Sequence, residues 1–302
     1  MSSPASAVAP AALPSPRAVL ELLKPVTWFP PMWALACGMV SSGASASGRW
    51  LEILTGIVLA GPLLCGASQV VNDWFDREVD AVNEPYRPIP SGRVPGRWGL
   101  GIAVAWSLLA ALVAWQLGPW VFGPALLGIA LSWAYSAPPL RFKQNGWIGN
   151  AAVGLAYEGL PWVTGAALLT AGAAPGLPVI VLALLYSLGA HGIMTLNDFK
   201  ALEGDRRHAV RSLPVQLGPA RAARLACVVM ALPQVVVVVL LLAWQAPLHA
   251  GAVAALLVGQ LLAMARLVRR PRELAPWYNA TGVTMYVAGM MTSAFALAGM
   301  AA

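Results

Sequence analysis

Nine stretches of this chain are apolar enough, and long enough, to cross about 30 Å of hydrocarbon. They fall near residues 26–45, 52–74, 98–117, 119–136, 148–170, 177–198, 221–244, 247–267 and 277–301. Helices satisfy their own backbone polar groups, as hydrocarbon demands, so the pattern dictates a helical bundle in a membrane. Only 10% of the 302 residues are charged, against about 25% in soluble domains. The 25 prolines and 29 glycines would disrupt soluble helices but are commoner in membrane bundles. Residues 1–16, MSSPASAVAPAALPSP, lack the charged start and apolar core of a signal peptide and read as a disordered tail. Residues 17–302 read as one transmembrane domain. Cys37, Cys65 and Cys227 all lie in apolar runs, which suits buried inert thiols better than disulfides.

The net charge of +7 is distributed as a membrane topology signal, not as a nucleic-acid surface. With nine spans and the N-terminus inside, 18 of the 19 Lys and Arg residues fall in cytoplasmic segments or at their helix ends. Only Arg49 lies opposite. Omitting the short 119–136 segment would put Arg141 and Lys143 across the membrane from the basic 77–97 loop, against the positive-inside rule.

The acids gather on the same side, which no topology rule requires. In NDWFDREVDAVNEPYRPIPSG, residues 72–92, Asp73, Asp76 and Asp80 fall at helical offsets of zero, three and seven and share one face. Three carboxylates so placed repel one another unless a cation sits between them. Oxygen-only donors point to a hard cation, and magnesium usually arrives with phosphates. Asn72, Asp73, Asp76 and Asp80 are therefore candidate magnesium ligands. NDFKALEGDR, residues 197–206, echoes this motif four spans later. Asn197, Asp198 and Asp205 are candidates there, although Ala201 stands where a third acid would match and Glu203 is a partial substitute. The echo suggests two similar four-helix halves around a central cavity, plus a ninth helix, with the paired clusters gripping a diphosphate between two metals.

Cationic donors complete such a site: Arg87, Arg206, Arg141 and Lys143 are the candidates, with Tyr135 and Ser136 as hydroxyl donors. Glu158 lies near the bilayer midplane, where a carboxylate is costly. It either binds substrate or is protonated and hydrogen-bonded within the bundle. His191 is open to the same two readings, ligand or packing. Asn279-Ala280-Thr281 matches a glycosylation acceptor but lies at a cytoplasmic boundary and is discounted. A cation-coupled transporter is the rival class, but transporters place coupling acids near the midplane, whereas these clusters sit at helix ends.

With these motifs in hand, the chain resembles the membrane-embedded aromatic prenyltransferase superfamily, from about residue 20 to the end. Within it, NDWFDREVDAVNEPYRPIPSG, YSAPPLRFKQNGWIGN and NDFKALEGDRRHAVRSLPV look like the (bacterio)chlorophyll synthase branch, and GLAYEGLPW at 154–162 leans to the bacteriochlorophyll side. The resemblance implies a magnesium-dependent transfer from geranylgeranyl or phytyl diphosphate to the C17 propionate of bacteriochlorophyllide or chlorophyllide, with quinone precursors or haem as the alternative acceptors. For that reaction Asp73, Asp76, Asp80, Arg87 and Lys143 are the catalytic candidates. The resemblance further implies a bacterial inner or intracytoplasmic photosynthetic membrane and contact with other pigment-synthesis or photosystem-assembly proteins, while the charge asymmetry places the site on the cytoplasmic side.

Overall fold

The computed structural model describes residues 13–207 and 209–301. The expectation of a disordered tail over 1–16 falls largely on residues outside that range. Among the described residues every regular element is helical. The chain runs α1 (Pro16–Leu22), α2 (Phe29–Ser41), α3 (Trp50–Val58), α4 (Gly66–Asn83), α5 (Trp98–Gln116), α6 (Pro119–Ser136), α7 (Gly146–Gly154) and α8 (Leu160–Leu168). It continues through α9 (Leu177–Asn197), α10 (Leu202–Arg207), α11 (Leu213–Leu217), α12 (Pro219–Ala243), α13 (Pro247–Leu267) and α14 (Pro271–Ala301).

Proline sets several starts. Pro119, Pro219 and Pro247 each occupy a first helical position, where the missing N–H is no loss and the fixed φ is already helical. Asn145 caps α7 by accepting from the Trp147 N–H at 3.0 Å, satisfying one of the orphan donors there.

Two rods are interrupted without being broken. The chain joins α3 to α4 through a wide π-type turn at Leu59–Cys65, which contains Pro62. A second wide turn at Leu155–Gly159 joins α7 to α8, with Pro161 just beyond it. Proline cannot donate to the carbonyl four residues back, and a widened turn accommodates that loss.

Among the described residues six helical segments are long and apolar enough to cross a membrane: the α3–α4 rod, α5, the rod continuing from α9 into α10, α12, α13 and α14. The other three expected spans form α2, α6 and the α7–α8 rod. At 13 residues, α2 is about 20 Å long, short of the hydrocarbon thickness.

Without water to drive apolar faces together, packing in such a bundle rests on close approach and interhelical hydrogen bonds. Gly38 on α2 faces the Trp162 carbonyl and Gly165 on α8 faces the Leu35 carbonyl, each so closely that a Cβ would overlap the opposing backbone. Trp162 Nε1 donates to Ser41 Oγ at 3.0 Å and the ring stacks on Tyr186. Tyr186 in turn hydrogen-bonds Ser293, and the Tyr286 hydroxyl donates to the Tyr186 carbonyl, tying α2, α8, α9 and α14 into one core. Gln234 and Gln260 join α12 to α13 by two reciprocal amide hydrogen bonds at 3.1 and 2.8 Å. All three cysteines are free.

Candidate functional site

The last turns of α4 carry the first acidic cluster on one face, as its spacing requires. Asp73 is only 1% exposed and Asp80 6%. Asp73 Oδ1 accepts from Lys24 Nζ at 2.6 Å and from Arg87 Nη1 at 3.3 Å. The same guanidinium reaches Asp80 Oδ2 at 2.8 Å and pairs with Glu84. Asp76 Oδ1 accepts from Lys143 Nζ at 2.5 Å and lies 3.5 Å from Arg141 Nη2. Asn72 donates to Ser136 Oγ at 3.4 Å.

Local geometry delivers these cations. Glu84 ends α4, and the Arg87 N–H bonds back to the Glu84 carbonyl, which turns Arg87 over the helix end. A short turn at Phe142–Gln144, opened by Arg141 at φ +37°, holds Lys143 beside Asp76. Burial pulls the Lys143 ammonium below the ordinary lysine value, and the Asp76 charge opposes that fall. Lys24 occupies the left-handed region immediately before Pro25, in the break between α1 and α2.

The second cluster closes α9. Asp198 Oδ2 accepts from Asn150 Nδ2 at 3.1 Å, and that amide also reaches Thr195 at 3.4 Å. Asn197 Oδ1 accepts from Asn279 Nδ2 at 2.7 Å. Glu203 does not fill the gap left by Ala201: it pairs at the surface with Arg206 and Arg272, which also draws Arg206 outward. Asn72 and Asn197, which open the two motifs, both line one cavity, so the two motifs face one space. The flanking loops are joined as well, since Arg211 N–H donates to the Gln144 carbonyl and Gly146 N–H to the Arg211 carbonyl, both at 2.9 Å.

Beneath that mouth lies a cavity of about 650 Å³, within the range of small-molecule sites. Asn72, Tyr135, Asn197 and Asn279 line it at the mouth, and both wide turns contribute to its wall, one through Leu59, Ala60, Leu64 and Cys65 and the other through Ala156, Tyr157 and Glu158. The Tyr157 hydroxyl accepts from Gln69 Nε2 at 2.9 Å and meets Cys65 Sγ at 3.4 Å. Glu158 lines the cavity and is 6% exposed. His191 is not among the lining residues; its ring packs against Trp147, with centroids 6.0 Å apart.

The donor set suits a hard divalent cation. It is oxygen-only, and Asp73 Oδ2 is buried with no hydrogen-bond partner, although no group of three metal-ligating side chains converges on one point among the described residues. The carboxylate charges of the first cluster are balanced instead by Lys24, Arg87, Arg141 and Lys143. Three contributors escape a reading of the sequence: Lys24, Asn150 and Asn279. The discounted Asn279-Ala280-Thr281 triplet begins with the residue that holds Asn197.

Residues 28–297 match the UbiA prenyltransferase family. The chain is 60% identical over 291 residues to the bacteriochlorophyll synthase 33 kDa chain of Cereibacter sphaeroides, covering 96% of each. It is 39% identical to the chloroplastic chlorophyll synthase of Arabidopsis thaliana, covering 92% of this chain and 73% of that one. Its fold is similar to that of a UbiA homologue from Archaeoglobus fulgidus bound to DMAPP and Mg2+, with a TM-score of 0.71 at 19% identity, covering 93% and 99% of the two chains.

Proposed function

The chain belongs to the UbiA prenyltransferase family, and from that premise we infer that it esterifies the C17 propionate of bacteriochlorophyllide or chlorophyllide with a prenyl diphosphate, releasing diphosphate. The observation that carries this reading is the 60% identity, over 96% of both chains, to a bacteriochlorophyll synthase. The two-ended cavity supports it, with a polar mouth between Asn72 and Asn197 and a largely apolar interior suited to a prenyl chain and a flat macrocycle.

In this reading all nine helical rods cross the membrane as two similar halves plus α14, and the charge asymmetry supports a cytoplasmic mouth. Asn72, Asp73, Asp76 and Asp80 from one side, with Asn197, Asp198 and Asp205 from the other, hold magnesium. When bound, the metal neutralises charge on the diphosphate. Lys24, Arg87, Arg141 and Lys143 donate to its oxygens as the bond from prenyl C1 to the diphosphate oxygen breaks. A propionate oxygen forms the new bond to C1. That carboxylate is already ionised at neutral pH, so no general base is needed. The Tyr135 hydroxyl orients the substrates at the mouth, while the buried Ser136 hydroxyl accepts from Asn72 and positions its side chain. Arg206 serves the second cluster through its rim rather than by contact with the reacting atoms.

Membranes carrying the chain, given labelled geranylgeranyl diphosphate with bacteriochlorophyllide, chlorophyllide or 4-hydroxybenzoate, test the assignment. Labelled pigment ester is expected. Labelled product from 4-hydroxybenzoate alone would overturn it.

A further inference from the structure

Glu158 stands about 12 Å along its rod from Asn150, at 1.5 Å per residue, and Asn150 holds Asp198. The carboxyl therefore lies deep in the cavity, well below the diphosphate mouth. Its Oε2 is enclosed and has no hydrogen-bond partner. An unpaired ionised carboxylate in such a place is too costly to persist, so the group is neutral and carries one O–H donor. A buried donor left unpaired costs free energy comparable to a lost hydrogen bond.

Of the two substrates, only one can answer that donor. A prenyl chain has no hydrogen-bonding atom beyond its diphosphate, and the diphosphate is held at the mouth. The acceptor ring is large and flat, and its reacting propionate must reach prenyl C1 beside the mouth. Its opposite edge then points inward, toward the wide turn that carries Glu158. We propose that Glu158 is a specificity-determining residue that donates a hydrogen bond to a carbonyl on the edge of the acceptor ring remote from the reacting propionate. The inference rests on the esterification reading above and extends it. The wide turn has a part in this: the inserted residue in a π-type turn re-aims the side chains around it, and Glu158 is one of the five residues that form it.

The test compares two chlorophyllides identical except for an acetyl or a vinyl group on that remote edge, each with geranylgeranyl diphosphate. One neutral hydrogen bond predicts a wild-type preference of roughly three- to tenfold in kcat/KM for the acetyl acceptor. Glu158→Gln, which keeps a donor, retains the preference; Glu158→Leu brings the ratio to about one. A vibrational spectrum of the bound acetyl carbonyl gives a readout independent of turnover, showing a hydrogen-bonded stretch in wild type and a free one in Glu158→Leu. Should the leucine variant fail to accumulate, the wild-type stretch decides. An unchanged ratio in Glu158→Leu, no wild-type preference, or a free carbonyl in wild type would each overturn the proposal while leaving esterification standing. No ester from either ring would overturn the esterification reading itself.

Discussion

Replacing Asp73 by Asn separates stability from activity. The carboxylate is 1% exposed and receives Lys24 at 2.6 Å. At an effective dielectric constant near 20, that pair attracts by about 6 kcal/mol. Taking two charges out of water costs several kcal/mol per ion, so little of the attraction remains as net stability. Asparagine keeps the shape, Lys24 is 22% exposed in its side chain and can turn toward water, and Arg87 retains Asp80 and Glu84. The expected change in unfolding free energy is therefore within about 1 kcal/mol. Activity responds differently. Asp73 Oδ2 has no partner and is assigned to metal, so its loss lowers kcat by about 10²–10³-fold and raises the magnesium needed for half-maximal rate at least about tenfold. Thermal unfolding in detergent, a magnesium titration of initial rates and the exposed control Glu78→Gln make the assay. Full activity at wild-type magnesium would refute the ligand role. A large drop in stability would refute the electrostatic balance.

Lys24→Met lowers kcat/KM for the prenyl diphosphate by about ten- to a hundredfold, the value of one charged hydrogen bond, while Lys24→Arg keeps most of it; steady-state kinetics with varied diphosphate checks both. Gly38→Ala and Gly165→Ala each destabilise by about 1–3 kcal/mol, because the new methyl meets opposing backbone that cannot move aside, as thermal unfolding in detergent would read. Gln234→Leu or Gln260→Leu alone costs about 1–3 kcal/mol by orphaning a buried amide. The double variant costs less than the sum of the two, measured the same way.

The acids of α4 were legible because their meaning lies in spacing, and a helix turns spacing into a shared face. Asn197 and Asp198 followed from the same logic applied to the echo. What the echo could not show is that Glu203 turns outward: its position after a helical turn permits either direction, and Arg206 and Arg272 decide it. Lys24 and Asn150 were illegible for a different reason. Each reaches its acid across the bundle, 49 and 48 residues away in sequence, and no local pattern encodes such a contact. Apolar length marks where helices lie but not how far each extends: six segments among the described residues are long enough to span, and the expected 26–45 span shortens to α2 at Phe29–Ser41. The wide turns were invisible because a proline in an apolar run predicts disruption without saying whether the helix kinks or widens. His191 looked like Glu158 from the sequence, as a polar group in an apolar span. Packing against Trp147 distinguishes it.

In the proposed reaction a propionate oxygen attacks prenyl C1 and the diphosphate leaves with its own oxygen. Esterification of bacteriochlorophyllide labelled with ¹⁸O in both propionate oxygens tests it directly, by mass spectrometry of the pigment ester and the released diphosphate. Both labels should remain in the ester, with none in the diphosphate. Transfer of one label to the diphosphate would contradict attack at C1 and, with it, the role assigned to the paired acidic clusters.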